Sequence, residues 1–373
     1  MARLRDVCSI RSSNHAADKE KNWLLNLDVV EQQTGKVLEY NYVPENGLGG
    51  SIVSFDTDNV LYSKLRPNLN KVVIPEKEGY ATSEMLPLYP DEKQITREYL
   101  ACYLRSPSFV DWAVSKTAGA KMPRLGTKEL LNKEILLPAV DLQKKITEAL
   151  FLIDSLISLR KKQLQKLDDL VRSRFVEMFI DGKSPIKTVE ELCSEIVDCP
   201  HSTPKYKGQL NNPAIRTSEI KKGYISWETM RYVSDEEYKE RIARLRPEKG
   251  DIVYGREGIM GNAAILPEGY NFCLGQRVML LRPDYSKCTS EYLLYAVISD
   301  DVYKQVVEKH NVSTVAHVNV KDVKQFRVPL PAIEKQKQFT GFISKGDKSK
   351  LTVQQGLDKL ELLKQSLMQK YFG

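Results

Sequence analysis

The feature that most constrains this fold is a phrase that the chain contains twice. "EILLPAVDLQKKI" occupies residues 134–146 and "RVPLPAIEKQKQF" occupies residues 327–339. In both, an apolar run leads through a proline and a polar turn to a Gln-Lys pair that opens a helix. The same 193 positions separate Gln143 from Gln336 and the two prolines from each other. A repeat of this size predicts two copies of one structural unit.

The match extends on both sides of the phrase. "EYLACYLRSPSF" (98–109) aligns with "EYLLYAVISDDV" (291–302) at the same offset. Further back, "LYSKLRPNLNKVVIPE" (61–76) aligns with "VYGREGIMGNAAILPE" (253–268) at an offset of 192, and a slip of one residue in a loop is ordinary. The early parts diverge, because "NWLLNLDVVEQQTGKVLEY" has no evident twin in "DCPHSTPKYKGQLNNPAIRTSEI".

Each copy is typical of a mixed α/β head followed by a long helix. Short apolar runs bounded by Gly, Pro and Asn, such as "KVVIP" and "GDIVYG", indicate strands, whereas "REYLACYLRSPSFVDWAV" has helical spacing. A chain of 373 residues also suits two or three domains. We therefore predict an α/β (α+β) fold with head 1 at 1–138, a first long helix at 139–182, head 2 at 183–331 and a second long helix at 332–373.

The long segments carry a coiled-coil seam. In the first, apolar residues recur at steps of four and three, with Arg160 as the polar exception. The second places Gly346 and Lys350 on its early seam, so we expect that part to pair less well. Two such helices can pack antiparallel, which would relate the heads by a pseudo-two-fold axis. The seam residues are Ile146, Leu150, Ile153, Ile157, Leu164, Leu167 and Val171, then Val353, Leu357, Leu360, Leu367 and Tyr371.

Composition excludes several classes of protein. No apolar run is long enough to span a bilayer, and the beginning "MARLRDVCSI" has no signal-peptide core, so we expect a cytoplasmic protein without membrane contact. The six cysteines form no Cys-x-x-Cys pair, which favours reduced thiols and no metal site. The net charge of +7 is compatible with a polyanionic partner.

The chain resembles the specificity subunit of bacterial type I restriction-modification systems over essentially its full length. The doubled "LP[AL]-x-[DE]-x-Q-K" phrase carries the resemblance, together with "VLYSKLRPNLNKVVIP", "GDIVYGREGIMGNAAILPEG", "KMPRLGTKEL" and "STVAHVNVKDV". The resemblance implies two target-recognition domains that each read half of a split, asymmetric DNA site. It also implies that the helices set the spacer and dock the partner subunits.

The partners implied are double-stranded DNA, two modification (methyltransferase) subunits and, through the complex, restriction subunits. The chain itself would be non-catalytic and would bind no cofactor, with S-adenosylmethionine, ATP and Mg on the partner subunits. The residues agree, because no Asn-Pro-Pro-Tyr or Asp-Pro-Pro-Tyr segment is present, and "NNPA" at 211–214 lacks the stacking aromatic. "GFISKGDKSK" (341–350) resembles a P-loop only superficially, because Asp347 interrupts it.

The Gly- and Pro-rich loops of each head supply the side-chain types that contact bases and phosphates. A solvated loop is the alternative interpretation for each of them, and a basic helix face at 160–166 is by default also solvated. The candidate DNA-binding residues are Ser63, Lys64, Arg66, Asn68, Asn70, Lys121 and Arg124 in head 1, and His201, Ser202, Thr203, Lys205, Tyr206, Arg256, Asn262, Gln276, Arg277, Ser313, Thr314 and His317 in head 2.

A second class of function stays open at this point, namely a non-catalytic protein scaffold that organises an assembly without reading bases. A steep salt dependence of duplex binding separates the two, because each phosphate contact adds nearly one unit to the log–log slope.

Overall fold

The computed structural model describes residues 1–119, 121–180, 182–208, 211–258, 261–310 and 317–373. These residues form two compact units, one of residues 1–162 with 354–373 and the other of residues 163–353. Each unit contains a mixed α/β head and a segment of each long helix, which confirms the predicted fold class. The four-part division of the chain and the pseudo-two-fold axis stay predictions.

In the described residues, the head of the first unit is built from short strands, four α-helices and two short 3-10 helices, Glu45–Gly47 and Pro67–Leu69. Its helices are α1 (Leu4–Val7), α2 (Arg97–Leu104), α3 (Pro107–Ser115) and α4 (Thr127–Asn132). Its strands are β1 (Ala2–Arg3), β2 (Cys8–Ile10), β3 (Asn22–Leu25), β4 (Tyr42–Val43), β5 (Ile52–Phe55), β6 (Val60–Ser63), β7 (Val72–Val73), β8 (Gly79–Thr82), β9 (Met85–Pro90) and β10 (Glu134–Ile135). The first long helix, α5 (Val140–Phe179), follows.

The head of the second unit has the same kind of composition. Its strands are β11 (Ile186–Thr188), β12 (Cys193–Asp198), β13 (Asn212–Ile215), β14 (Arg231–Val233), β15 (Ile252–Gly255), β16 (Ala263–Ile265), β17 (Cys273–Leu274), β18 (Val278–Pro283) and β19 (Arg327–Pro329). Its helices are α6 (Val189–Leu192), α7 (Asp235–Arg241), α8 (Ser290–Val297), α9 (Asp300–His310) and α10 (Val320–Lys324), and the second long helix is α11 (Ile333–Phe372).

The main sheet has the same strand order in both heads. It runs β2-β9-β6-β7 in the first and β12-β18-β15-β16 in the second, with antiparallel pairing throughout. The registers match an offset of 192 for β6 and β15 but 193 for β9 and β18. The one-residue slip that the sequence predicts therefore falls between β6 and β9 of the first head and β15 and β18 of the second. The two copies thus repeat the topology of the sheet as well as the sequence.

The divergent early segments of the two heads contain a shared strand that the sequences conceal. β3 pairs in parallel with β8 in the first head, and β13 pairs in parallel with β17 in the second. "NWLL" and "NPAI" thus fill equivalent places, although only the opening asparagine is common. Both strands are buried, so apolar side chains are enough to form this strand, and the two sequences need not be identical.

Both long helices run for 40 residues without interruption. Because α11 is continuous from Ile333 to Phe372, residues 341–350 lie in a helix and cannot cradle a phosphate as a P-loop does. No helix in the described part of the chain combines the length and the apolar character that a membrane span requires. The six cysteines are free thiols.

In the first unit, the early part of α5 packs against the late part of α11. Asp154 pairs with Lys364 at 2.6 Å and Lys161 with Glu361 at 3.2 Å. As the residue number increases along α5, the residue number of its partner on α11 decreases, so these segments are antiparallel. Ile146 and Leu150 of α5 lie in the same apolar core as Met368 and Phe372 of α11.

In the second unit, the late part of α5 packs antiparallel against the early part of α11. Phe175 and Phe179 contact the ring of Phe339, with centroids 5.6 and 5.3 Å away. Lys350, which breaks the apolar seam, pairs with Asp168 at 2.5 Å. Asp168 therefore supplies a partner for the polar residue that the sequence places on the seam.

The repeated phrase forms a buried joint between each head and its helix. The side-chain amide of Gln143 donates to the carbonyls of Gln94 and Pro138 at 2.8 and 2.9 Å, and its oxygen accepts from the Thr96 N–H at 2.9 Å. Gln336 makes the equivalent bonds to Lys287, Pro331 and Thr289 at 3.1, 2.9 and 2.9 Å. Both glutamines are fully buried.

We predict that Gln143→Ala and Gln336→Ala each lower the free energy of unfolding by roughly 2–3 kcal/mol, because each removes the partner of three buried or partly buried backbone groups. Urea denaturation of the full chain measures this. Gln354→Ala is the matched control, since Gln354 is an exposed helical glutamine bonded to Asp358. A loss no larger than that of the control would show that the joint is not a stability element.

Candidate nucleic-acid interface

At one edge of the first head, backbone hydrogen bonds hold three chain segments side by side. The Lys64 N–H donates to the Glu84 carbonyl at 3.0 Å, and the Leu125 N–H donates to the Lys64 carbonyl at 2.9 Å. Leu65 forms an isolated bridge with Arg124. We call this arrangement of Lys64, Leu65, Glu84, Arg124 and Leu125 the first frame.

The second head builds the same backbone arrangement. The Arg256 N–H donates to the Arg277 carbonyl at 2.9 Å, and the Val318 N–H donates to the Arg256 carbonyl at 2.9 Å. Glu257 forms an isolated bridge with His317. We call Arg256, Glu257, Arg277, His317 and Val318 the second frame. Its positions match those of the first at the repeat offsets of 192 and 193, so one backbone scaffold carries two sets of side chains.

The first frame carries an arginine clamped on a carboxylate. Arg124 donates from Nε and Nη2 to the Glu84 carboxylate at 2.9–3.2 Å. The hydrogen bond from Arg124 lowers the pKa of Glu84 and raises the pKa of Arg124, so both groups are charged at neutral pH. Both side chains remain accessible, with 44% of Arg124 and 24% of Glu84 exposed.

The second frame carries a larger network of charges. Arg277 Nη1 lies 2.7 Å from Glu257 Oε1, and His317 Nδ1 lies 3.4 Å from the same oxygen. Behind them the buried Arg256 donates to Asp198 Oδ1 at 2.9 Å and lies 3.4 Å from His317 Nε2. The frame residues therefore form one connected polar cluster.

Four of the predicted DNA-binding side chains are buried: Ser63, Asn70, Arg256 and Asn262. Ser63 donates to the Leu65 carbonyl at 3.1 Å, and Asn70 donates to Gln33 and to the Arg105 carbonyl at 3.0 Å. Arg256 is held by Asp198 and the Val318 carbonyl. These bonds favour a role in positioning the loops, and direct DNA contact by these side chains stays a prediction.

The remaining candidates of the first head are accessible. Lys64 is half-buried, and Arg66, Asn68 and Lys121 are exposed together with Arg124. Arg66 has a left-handed backbone, with φ at 50°, and its N–H donates to the Pro123 carbonyl at 2.8 Å. This bond brings the loop after β6 next to the loop that contains Lys121. The structure thus brings the segments of Lys64, Arg66, Lys121 and Arg124 together in this head.

In the second head, His201, Ser202, Thr203, Lys205, Gln276 and Arg277 are exposed. Gln276 donates to the Thr203 hydroxyl at 2.8 Å, which joins the loop after β12 to the frame. Tyr206 lies elsewhere, since it pairs with Val233 and its ring faces Arg231 at 5.1 Å. Ser313 and Thr314 lie outside the described residues.

Sequence reasoning missed the acidic members of the site, Glu84, Asp198 and Glu257. It searched for basic and amide side chains, which are the commonest base and phosphate contacts. The repeat could have indicated two of these acids. Glu84 lies 193 positions before the candidate Arg277, and Glu257 directly follows the candidate Arg256. Among the described residues, no three His, Cys, Asp or Glu side chains gather as a metal site would require.

Comparison with protein families gives a match over most of the chain. The model for the type I restriction modification DNA specificity domain matches residues 1–169 and 207–362. The EcoDI specificity subunit of a type I restriction enzyme from Escherichia coli is 27% identical over 154 residues, which are 40% of this chain and 34% of that protein. The MjaVIII specificity subunit from Methanocaldococcus jannaschii is 26% identical over 284 residues, 70% of this chain and 66% of that protein. The aligned parts thus span from about a third to just under two thirds of these relatives.

Solved structures share the fold. A chain from work on the complex assembly and conformational transition of the type I R-M system has a TM-score of 0.62 and 15% identity, covering 100% of this chain and 96% of that one. The S subunit of a type I restriction-modification system from M. genitalium has a TM-score of 0.57 and 12% identity, covering 100% and 95%. At these identities the likeness shows the fold alone.

We predict that Asp198→Ala destabilises the second head by about 3 kcal/mol, because it leaves the buried guanidinium of Arg256 without its counter-ion. Glu268→Ala, which removes the exposed partner of Lys249, should change stability by less than about 0.5 kcal/mol. Urea denaturation compares the two variants. Equal effects would mean that the buried pair adds nothing to the fold.

Proposed function

This chain belongs to the type I restriction-modification DNA specificity family, and we propose that it is the subunit that recognises double-stranded DNA for such a system. Each head reads one half of a split, asymmetric site. The observation that carries the proposal is the pair of frames, because one backbone scaffold holds Lys64, Glu84 and Arg124 in one head and Arg256, Arg277 and His317 in the other. Identical scaffolds with different side chains suit two unlike half-sites.

The exposed basic side chains around the frames supply the electrostatic part of recognition. Arg66 and Lys121 lie beside the first frame, and Lys205 lies in the loop joined to the second. Lysine and arginine hold phosphates and give binding its salt dependence, while frame side chains reach base edges in the major groove. Arg66 and Arg277 both have left-handed backbones, with φ at 50° and 60°, and both side chains are exposed.

The long helices set the spacer and dock the modification subunits. A helix of 40 residues is about 60 Å long, which is enough to hold two readers at a fixed separation. α5 also carries a second apolar stripe besides its seam, formed by Leu152, Leu156 and Leu159, which are 62, 38 and 60% exposed. Leucines at these spacings lie on one face of a helix and suit an apolar helix of a partner.

Methyl transfer and cleavage belong to partner subunits in this proposal. Two modification subunits bring S-adenosylmethionine, and restriction subunits bring ATP and Mg. What supports this division is the membership of a specificity family together with the absence of methyltransferase motifs from the sequence.

The test is methylation mapping at single-base resolution in a host without other modification systems that expresses this chain with its modification subunits. A split, asymmetric motif is the expected result. A single continuous motif would mean that only one head reads sequence. The absence of any motif, with all subunits expressed and assembled, would contradict the proposal.

We predict that Lys64→Ala weakens recognition of one half-site and Arg277→Ala weakens the other, each by about 1–3 kcal/mol, because each frame serves one half. Competition of duplexes mutated in one half-site, for binding to the assembled complex, measures this. Lys93→Ala is the control, since Lys93 is exposed in the turn after β9, at the other end of the main sheet. Equal relaxation of both half-sites by either variant would contradict the two-reader assignment.

We predict that Leu159→Glu weakens assembly with the modification subunit by at least about 1–3 kcal/mol, because it puts a charge on the apolar stripe. Co-purification and titration with that subunit measure this loss. Leu351→Glu is the matched control, since Leu351 is equally exposed at 61% on α11. If Leu159→Glu assembled as tightly as the unchanged chain, the stripe would not be the docking surface.

A further inference from the structure

We propose that the arginine–glutamate pair of each frame, Arg124–Glu84 in the first and Arg277–Glu257 in the second, reads a G·C base pair in the major groove. This inference rests on the proposed function and names the bases that the frames take. It also assigns a direct contact to two acidic side chains, although DNA-binding surfaces are otherwise sought among basic ones.

The chemistry of the pair matches the edge of one base pair. In the major groove guanine presents the acceptors O6 and N7, and cytosine presents the N4 amino donor. An arginine donates to the guanine, and a carboxylate accepts from the cytosine. The two side chains must be adjacent to reach one base pair, and here they are in contact, at 2.9 Å in the first head and 2.7 Å in the second.

Both pairs keep unused hydrogen-bonding capacity. Arg124 uses Nε and Nη2 on Glu84, and its Nη1 makes no hydrogen bond within the described residues. Arg277 Nη1 and His317 Nδ1 both approach Glu257 through the same oxygen, Oε1, at 2.7 and 3.4 Å. A carboxylate has about four lone-pair sites, so each glutamate can accept from a base while its arginine partner holds it in place.

Accessibility and surroundings favour reading over a purely structural role. Arg124 is 44% and Arg277 54% exposed, while Glu84 is 24% and Glu257 36% exposed. A carboxylate facing DNA is repelled by phosphates unless a cation accompanies it, and each glutamate here has an arginine in contact. Exposed ion pairs of this kind add little to stability, so the fold alone does not require them.

The two frames differ in where the carboxylate stands. The segment between β6 and β9 carries Glu84, whereas the equivalent segment between β15 and β18 carries Arg277. In the second head the acid moves to Glu257, next to Arg256. On the common backbone, Arg277 thus takes the place of Glu84, whereas Glu257 takes the place of Leu65 and His317 that of Arg124. The arginine–glutamate pair therefore stands in a different orientation on the backbone of each head.

The experiment maps methylation for the unchanged chain, Glu84→Gln and Glu257→Gln, each expressed with the modification subunits. We expect at least one G·C pair in each half-site of the unchanged chain. Because glutamine suits adenine through N6 and N7, each variant should lower the preference for cytosine at one position of one half-site by about ten- to a hundredfold and admit adenine there. Glu78→Gln and Glu268→Gln, exposed glutamates outside the frames, should leave the motif unchanged.

Several outcomes would overturn the inference while leaving the proposed function intact. These are a split motif with no G·C pair in one of its halves, a motif that neither variant alters, or a change in both half-sites at once. Loss of all methylation by a variant that still assembles and melts like the unchanged chain would assign the glutamate to support of the frame. If Glu84→Gln failed to assemble, Arg124→Lys would serve instead, with relaxation at the guanine as the expected result. The absence of any motif for the unchanged chain would contradict the proposed function itself.

Discussion

A single buried amide in each copy fixes the arrangement on which the rest of that unit depends. Gln143 and Gln336 each bind the backbone N–H of the N-cap threonine of a head helix and two carbonyls, one of which belongs to the proline before the long helix. A buried amide that made only some of these bonds would lower the stability of the fold. Since only a few directions of the long helix allow all three bonds, the amide restricts the direction of that helix. The repeated phrase is therefore a joint that sets how a long helix leaves its head.

The joint and the frame lie at opposite ends of the same main sheet. β9 begins at Met85, one residue after Glu84 of the first frame, and ends at Pro90, four residues before Gln94 of the joint. β18 links Arg277 to Lys287 in the same way. Because a hydrogen-bonded sheet is stiff along its strands, the direction of the helix and the position of the frame are fixed with respect to each other within each unit. Under the proposed function, in which the helices set the spacing of the two readers, that coupling is required.

The repeat made the architecture predictable, because period and topology leave a strong trace in sequence. Two mixed α/β heads, both long helices and most of the seam follow from it. Where a strand only has to be apolar and buried, the two copies keep little sequence similarity. β13 occupies the position of β3 although the two strands share hardly any residue. The site was predictable as a set of loops but not in its details. Nothing local in "YGREG" indicates that Arg256 turns inward to Asp198, because the partner is 58 positions away.

The two frames differ in how strongly their side chains are coupled. In the first, the described contacts of the charged groups reduce to the Arg124–Glu84 pair, with Lys64 acting on Glu84 through its charge. In the second, Asp198, Arg256, His317, Glu257 and Arg277 form a chain of contacts from a buried guanidinium to an exposed one. Substitutions within such a chain are not additive, because each changes the partner of the next. Among the described contacts, this coupling is confined to the Arg124–Glu84 pair in the first frame, whereas it extends over five side chains in the second. Under the proposed function, one shared backbone thus carries two sets of reading side chains whose substitutions are coupled to different extents.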